Sequence, residues 1–119
     1  MQTGNTINGY YVYSSFVHIC HVLKRNGERF GFPAFLLLCT WEGGKYPEKS
    51  DEYEINLKDA ISMSIGDGDA FTQYDKNRYL ILTMGDAKER ELLCRAVQRN
   101  LNELSDGQVN VTFKTEALR

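Results

Sequence analysis

Two short segments of this chain, residues 34–41 and 79–84, are apolar at nearly every position. A strand that is apolar on both faces is typical of the centre of a sheet that other elements cover. Two further segments, residues 70–74 and 109–114, have mixed or alternating polarity, which favours the edges of a sheet. The sequence therefore predicts a four-stranded sheet whose first and third strands are central.

Helical periodicity separates these strands. The first helix is predicted over residues 11–26, with Gly27 as its end. Asn56 is predicted to cap a second helix, and Asp86 with Glu89 forms a capping-box pattern before a third. The apolar stripes of the three helices are Val12, Phe16, Ile19 and Leu23; Leu57, Ala60, Ile61 and Ile65; and Leu93, Val97, Leu101 and Leu104.

The predicted order of elements is one helix followed by β-α-β-β-α-β. With the first and third strands central, this order gives an α/β sandwich: a ferredoxin-like antiparallel sheet in the order 4-1-3-2, with an additional N-terminal helix. Residues 42–53 contain Gly43, Gly44 and Pro47 and are predicted to form a solvated, poorly ordered loop. Residues 1–9 are predicted to be disordered or extended, and residues 10–119 to form a single domain.

The composition excludes several classes of protein. Of the 119 residues, 42% are hydrophobic and 25% are charged, which is the balance of a globular domain. The formal net charge of −2 gives the chain no electrostatic basis for binding nucleic acid by itself. No apolar run has the length of a membrane span, and residues 1–9 lack the features of a signal peptide, so a cytoplasmic location without membrane contact is expected.

The three cysteines, Cys20, Cys39 and Cys94, are far apart and have no C-x-x-C spacing. They are predicted to be buried free thiols, as is usual in a reducing compartment. His18 and His21 lie close to Cys20, but no second cluster of ligands completes a tetrahedral site. The sequence therefore predicts no metal site, and it contains no recognisable Ser-His-Asp constellation.

Residues 69–82, with the sequence DAFTQYDKNRYLIL, resemble the signature hairpin of GGDEF domains. In that family an Arg-Tyr-like pair ends one strand, the GGDEF residues form the turn, and an apolar strand follows. Aligned on the hairpin, Gln73 and Tyr74 stand at the Arg-Tyr pair. The GGDEF positions are occupied by Asp75, Lys76, Asn77, Arg78 and Tyr79. The resemblance implies a nucleotide-cyclase fold over residues 34–118.

The resemblance also implies that catalysis is lost. Diguanylate cyclases of this family hold divalent cations with an acidic residue of the turn and an aspartate at the end of the first strand. In this chain Asn77 and Arg78 replace the acidic pair, and Trp41 stands at the strand end, with Glu42 just beyond it. The sequence therefore predicts that the chain is not an enzyme and that it has no cofactor.

The family's product-binding motif, R-x-x-D, is incomplete here. Asp69 occupies the aspartate position, but Gly66 stands where the arginine belongs, so a structural role is favoured for Asp69. The candidate contacts to a ligand or an interface are Trp41, Glu42, Asp69, Lys76 and Arg78. The alternative for Lys76 and Arg78 is a solvated turn, and for Trp41 a partly buried core position.

A second resemblance covers nearly the whole chain. Residues 9–16, GYYVYSSF, the basic pair at 24–25, the Gly-Asp pair at 68–69 and Tyr74 are similar to the divergent GGDEF-like domain found C-terminal to winged-helix and bacterial transcriptional activator (BTAD) regions. This implies a non-catalytic signalling or oligomerisation domain of a bacterial transcriptional regulator. Its partners would be the regulator's other domains or a second copy of the chain, forming a homodimer, and DNA would be bound elsewhere. The alternative is a sensor of a nucleotide or another small ligand that retains a cyclase-like cleft.

Overall fold

The computed structural model describes residues 8–30, 34–43, 47–107 and 109–118. Three helices and four strands follow one another, with a short 3-10 helix (Pro47–Lys49) before the second helix. The helices are α1 (Tyr13–Phe30), α2 (Ser50–Ser64) and α3 (Ala87–Ser105). The strands are β1 (Phe35–Gly43), β2 (Ala70–Asp75), β3 (Arg78–Thr83) and β4 (Val109–Ala117).

The four strands form one antiparallel sheet in the order β2-β3-β1-β4. This is the predicted order 4-1-3-2, read from the other edge, so the predicted topology is confirmed. The two central strands are the continuously apolar ones: Leu37 of β1 faces Ile81 of β3 in the register, and neither side chain is exposed. On the other face Leu82 is buried and Leu36 and Leu80 are half-buried near α1. Apolar side chains therefore line both faces of these strands, which explains why the polarity pattern identified them.

Helices cover the two faces of the sheet unequally. α2 and α3 pack together on one face, where Leu57, Ile61, Val97 and Leu101 belong to the main core with Leu37. α1 lies on the opposite face, and a second cluster joins Phe16 and Cys20 to Ala70 and Leu82. Ile19 and Leu23 are half-buried against this cluster, whereas Val12, predicted in the same stripe, precedes α1 and is 60% exposed. The additional helix therefore buries most, but not all, of its predicted stripe within the same domain.

The chain before α1 adds to the outer edge of β2. Tyr10 forms a parallel bridge with Phe71, and the N–H of Phe71 donates to the carbonyl of Gly9 (2.8 Å) while the N–H of Tyr11 donates to the carbonyl of Phe71 (3.0 Å). These bonds occupy part of the backbone edge that β2 would otherwise leave open. Residues 1–7 of the predicted N-terminal segment lie outside the described residues.

The predicted start of the second helix was wrong. α2 begins at Ser50, so Asn56 lies within the helix and the second half of the predicted loop is helical. The extra turn is stabilised by Tyr53, which is 2% exposed and lies one turn before Leu57 on the buried face. Lys49 precedes the helix without a side-chain cap, so packing rather than capping determines where α2 begins.

Two further details differ from the prediction. α1 continues through Gly27 to Phe30, because one glycine in a helix costs only about 1 kcal/mol and does not end it. Leu104 is 40% exposed, whereas the rest of its predicted stripe is buried. The predicted capping box of α3 is confirmed by reciprocal bonds, from the Glu89 N–H to Asp86 Oδ1 (2.8 Å) and from the Asp86 N–H to Glu89 Oε1 (3.1 Å).

The three cysteines are free thiols. Cys20 and Cys39 are buried as predicted, whereas Cys94 is only half-buried. Burial raises the pKa of the Cys39 thiol far above its ordinary value of 9.0, so it remains protonated and unreactive. None of the helices in the described ranges is both long and apolar enough to cross a bilayer.

Candidate functional site

The hairpin between β2 and β3 turns at Lys76 and Asn77. A register shift precedes Asp75, which faces Arg78 across the end of the hairpin. The carboxylate of Asp75 accepts a hydrogen bond from the N–H of Lys76 (2.8 Å). Among the non-glycine residues that the structure describes, Asp106 alone has a positive φ. This turn is therefore built without the left-handed conformation that would call for glycine.

Trp41, near the end of β1, holds the turn against the sheet. Its N–H donates to the carbonyl of Asn77 (3.0 Å), and the amide of Asn77 donates to the carbonyl of Trp41 (3.4 Å). The indole N–H donates to the carbonyl of Lys76 (3.4 Å). The ring is 9% exposed and packs edge-on against Tyr53, with 6.0 Å between the ring centroids. The tip of the hairpin is thus fixed to β1 above a core tryptophan.

Tyr79 joins the hairpin to α2. It is fully buried, and its hydroxyl donates to the backbone carbonyl of Glu54 (3.1 Å). The carboxylate of Glu54 in turn accepts a bond from the amide of Gln73 (2.6 Å). Burial, and then the negative charge of Glu54, raise the pKa of Tyr79 above its ordinary value. Tyr79 is therefore a neutral donor that fixes β3 to the helix.

The two cations of the turn point to different sides of the hairpin. The Nζ of Lys76 lies 3.3 Å from Oδ1 of Asp51 in α2, and both side chains are mostly exposed. Such a surface pair contributes at most about 1 kcal/mol. Arg78 precedes the buried Tyr79 on β3, so the alternation of side chains places it on the opposite face of the sheet. Lys76 and Arg78 therefore do not converge on one ligand position.

Asp69 lies at the far end of β2 from the turn, roughly 20 Å away along the strand. Its carboxylate accepts a bond from the N–H of Gly66 (3.0 Å), and its own N–H donates to the carbonyl of Gly66 (3.2 Å). It closes the turn after α2. Glu42 is exposed and lies on the opposite face of β1 from Trp41. The five predicted contact residues are therefore spread over the sheet and do not form a single site.

A cavity of about 700 Å³ opens beside Asp69, between the turn after α2 and the helix α3. Its charged lining consists of Asp67, Asp69, Glu89 and Arg99. Three carboxylates against one guanidinium give a net negative lining, which disfavours an anionic nucleotide. Sequence reasoning missed Arg99, because no local pattern connects a residue in the middle of α3 with the turn before β2.

Sequence reasoning also missed the α2 side chains that border the hairpin tip. Asp51 fell within the predicted loop, so its pairing with Lys76 was not expected. The signal that could have found it is Tyr53, an aromatic residue four positions before Leu57 and therefore on the same helical face. In the described parts of the chain, no cluster of three or more His, Cys, Asp or Glu side chains is arranged to hold a metal ion.

The raised pKa of Tyr79 predicts a loss of stability in alkali. The unfolded chain releases this proton near pH 10.0, whereas the folded chain retains it, so the free energy of unfolding should fall as the pH rises above about 10. The slope from one group reaches about 1.4 kcal/mol per pH unit. The raised pKa of Cys39 lowers the free energy of unfolding in the same direction, beginning at about pH 9.

Tyr79→Phe tests this prediction, because it removes the titrating hydroxyl and leaves the buried ring. Urea denaturation of both proteins from pH 8 to pH 11.5 should give a shallower loss of stability for the variant above pH 10. Parallel curves over the whole range would contradict the assignment to Tyr79.

Several solved structures share this arrangement of helices and strands. A DGC protein from Thermotoga maritima superposes with a TM-score of 0.77 at 5% sequence identity, over 93% of this chain and 83% of that chain. The diguanylate cyclase SiaD from Pseudomonas aeruginosa, solved with its activator SiaC, gives 0.79 at 11% identity, over 97% of this chain and 49% of that chain. The GGDEF domain of FimX from Pseudomonas aeruginosa gives 0.64 at 16% identity, over 96% and 78%.

No protein-family model and no curated protein sequence matches the chain. At these identities the structural likeness establishes the fold alone. The fold is that of GGDEF domains, as the resemblance of the hairpin implied, and the chain spans about half the length of the SiaD chain.

Proposed function

We propose that this chain, which has the fold of a GGDEF domain, is a non-catalytic signalling or oligomerisation domain of a bacterial transcriptional regulator. One observation carries the proposal: the chemistry of the hairpin turn. The positions of the family's acidic pair are held by Asn77, whose amide is bonded to the carbonyl of Trp41, and by Arg78, which is a cation. Neither side chain supplies the anionic oxygen that Mg²⁺ prefers.

The surroundings of the turn support the same proposal. Nucleotide condensation needs cations that offset the triphosphate charge and activate the attacking hydroxyl. A cation beside this turn would meet the charge of Lys76, and the two carboxylates nearby are already engaged: Asp51 pairs with that lysine, and Asp75 accepts its backbone N–H. At the end of β1, Trp41 directs a buried indole rather than a carboxylate toward the turn.

Exposed apolar side chains near the start of α1 support a contact with a neighbouring domain. Tyr11, Val12 and Tyr13 are 43%, 60% and 52% exposed, and they are consecutive in sequence. Clustered apolar exposure of this kind is typical of an interaction surface. We assign this surface to another domain of the same regulator, which would carry the DNA contacts and act in the cytoplasm.

The proposal predicts no turnover of GTP. Purified protein incubated with GTP and Mg²⁺ or Mn²⁺ should release no pyrophosphate and form no cyclic dinucleotide, while an active diguanylate cyclase assayed in parallel does both. Turnover by this chain that is lost in the variant Asn77→Ala would overturn the proposal, because it would place chemistry at the turn. Asn102→Ala, an exposed change on α3, is the matched control.

Ligand binding by the same purified protein tests the alternative of a nucleotide sensor. Thermal unfolding with GTP, ATP or cyclic di-GMP should leave the melting temperature unchanged. A ligand at 100 times its Kd would add about 2.7 kcal/mol to the stability of the folded state, which is a shift of roughly 10 °C for a domain of this size. A saturable shift of that kind would favour a nucleotide sensor over a domain that makes only protein contacts.

A further inference from the structure

β4 is an edge strand with an open side. In the described sheet it pairs with β1 alone, along all nine of its residues. The N–H of Leu118 donates to the carbonyl of Ala34 (2.8 Å), so even-numbered residues at this end direct their backbone groups toward β1. The backbone groups of Phe113, Thr115 and Ala117 consequently point outward, away from the sheet.

One outward position of β4 is already occupied. The N–H of Val111 donates to the side-chain oxygen of Gln98 in α3 (3.3 Å). This bond confirms the alternation independently and limits the open edge to its C-terminal part, from Phe113 to Ala117. The residues from 114 to 117 are exposed, so another strand can reach this part of the edge. Unpaired edges of this kind are templates for the addition of a strand.

We infer that a second copy of this chain pairs with β4, antiparallel and about a two-fold axis at Thr115. The two sheets then become one, and the three outward residues of each strand form about six backbone hydrogen bonds across the axis. Lys114 lies opposite the partner's Glu116, and Glu116 opposite the partner's Lys114. Both charge pairs lie on the face of the sheet that α1 only partly covers, and both are exposed before pairing.

Charge complementarity selects this register among the neighbouring ones. A shift of the axis to residue 114 sets Lys114 against its own copy, and a shift to residue 116 sets Glu116 against its own copy. Like charges directly opposite each other destabilise a strand pair. An axis at Phe113 requires the backbone groups of Val111, and Gln98 already holds its N–H. The register about Thr115 avoids all three conflicts.

This inference rests on the oligomerisation role proposed above and identifies the β4 edge as the surface through which the chain would oligomerise. The dimer is of the weak, concentration-dependent kind, because a single strand edge buries little area. Sedimentation velocity from about 10 µM to 1 mM should show a reversible monomer–dimer equilibrium at the upper concentrations. A chain that remains monomeric up to 1 mM overturns both the inference and the oligomerisation role.

Charge exchange tests the register. Lys114→Glu sets two glutamates against each other at each end, and Glu116→Lys sets two lysines, so each variant should weaken the dimer by about tenfold or more. The double variant K114E/E116K restores opposite charges and should restore the dimer. An equimolar mixture of the two single variants should form a heterodimer, because every cross-strand pair in it is attractive. Glu103→Lys, on the exposed side of α3, changes the net charge by the same amount and sign as Glu116→Lys and should leave dimerisation unchanged.

Thr115→Pro tests the backbone contact. It removes an N–H that points away from β1 and has no partner among the residues that the structure describes, but that lies on the axis of the dimer, so the folded monomer should persist and the dimer should be lost. Thr115→Ser is the control that retains the N–H. A dimer that none of the β4 variants alters would overturn the inference and leave the oligomerisation role standing on another surface. GTP turnover would overturn the non-catalytic role without affecting the strand pairing.

Discussion

Replacing Trp41 by alanine is expected to lower the free energy of unfolding by about 3 to 5 kcal/mol. The indole is almost fully buried, and its removal leaves a cavity between the hairpin tip and Tyr53. The variant also loses the side-chain hydrogen bond to the carbonyl of Lys76. Urea denaturation followed by circular dichroism measures the effect, since Trp41 is the chain's single tryptophan and fluorescence would disappear with it.

Trp41→Phe is the matched control. Phenylalanine retains an aromatic ring against Tyr53 and the backbone bonds to Asn77, and it loses only the indole donor and part of the buried area. Its expected cost is about 1 to 2 kcal/mol. If the alanine variant cost no more than the phenylalanine variant, the indole would not be the anchor of the turn.

The sheet order was predictable because it depends on a local property of each strand. A central strand has other elements on both faces, so its side chains are apolar on both, as the consecutive apolar residues Leu36 to Leu38 of β1 and Leu80 to Leu82 of β3 show. The capping box of α3 was predictable for the same reason, since Asp86 and Glu89 need only each other and the intervening backbone.

The start of α2 was missed because the loop signals before it outweighed the periodicity of Tyr53 with Leu57. Residues 43 to 47 contain two glycines and a proline, which indicate a loop, and Lys49 is a poor capping residue. The packing of Tyr53 beneath the hairpin against Trp41 stabilises the first turn of α2, and that contact exists only once the sheet has formed. Tertiary contacts override propensity at such positions.

The contacts made by the turn could not be predicted from the sequence. Aligning the hairpin with the GGDEF family identified which residues occupy the turn, but it gave no information on their partners. The bonds between Trp41 and Asn77 depend on the register of β1 against β3. The separation of Lys76 from Arg78 depends on where the turn ends and strand alternation resumes. The sequence therefore predicts which residues occupy the turn, but not how they are arranged.

Gly9→Ala is expected to destabilise the domain by about 3 kcal/mol, for two separable reasons. Gly9 has a φ of +78°, which costs an alanine about 1 to 2 kcal/mol. An added Cβ would also overlap the Cδ1 of Ile65 and lie 3.3 Å from the carbonyl oxygen of Asp69, in a packed part of the core edge. Gly9 connects the start of the chain to β2 through its bond with Phe71, so both costs act on that junction.

Two further variants separate backbone strain from overlap. Gly107 has a similar φ of +74°, but a Cβ there would meet no atom within 4 Å, so Gly107→Ala should cost only the strain of about 1 to 2 kcal/mol. Ile65→Val deletes the overlapping Cδ1, so Gly9→Ala should cost about 1 to 2 kcal/mol less in the Ile65→Val background than in the wild type. Urea denaturation of the full cycle measures this coupling. Equal costs for Gly9→Ala and Gly107→Ala, with no coupling to Ile65, would show that the N-terminal junction yields freely and that Gly9 is needed only for its φ.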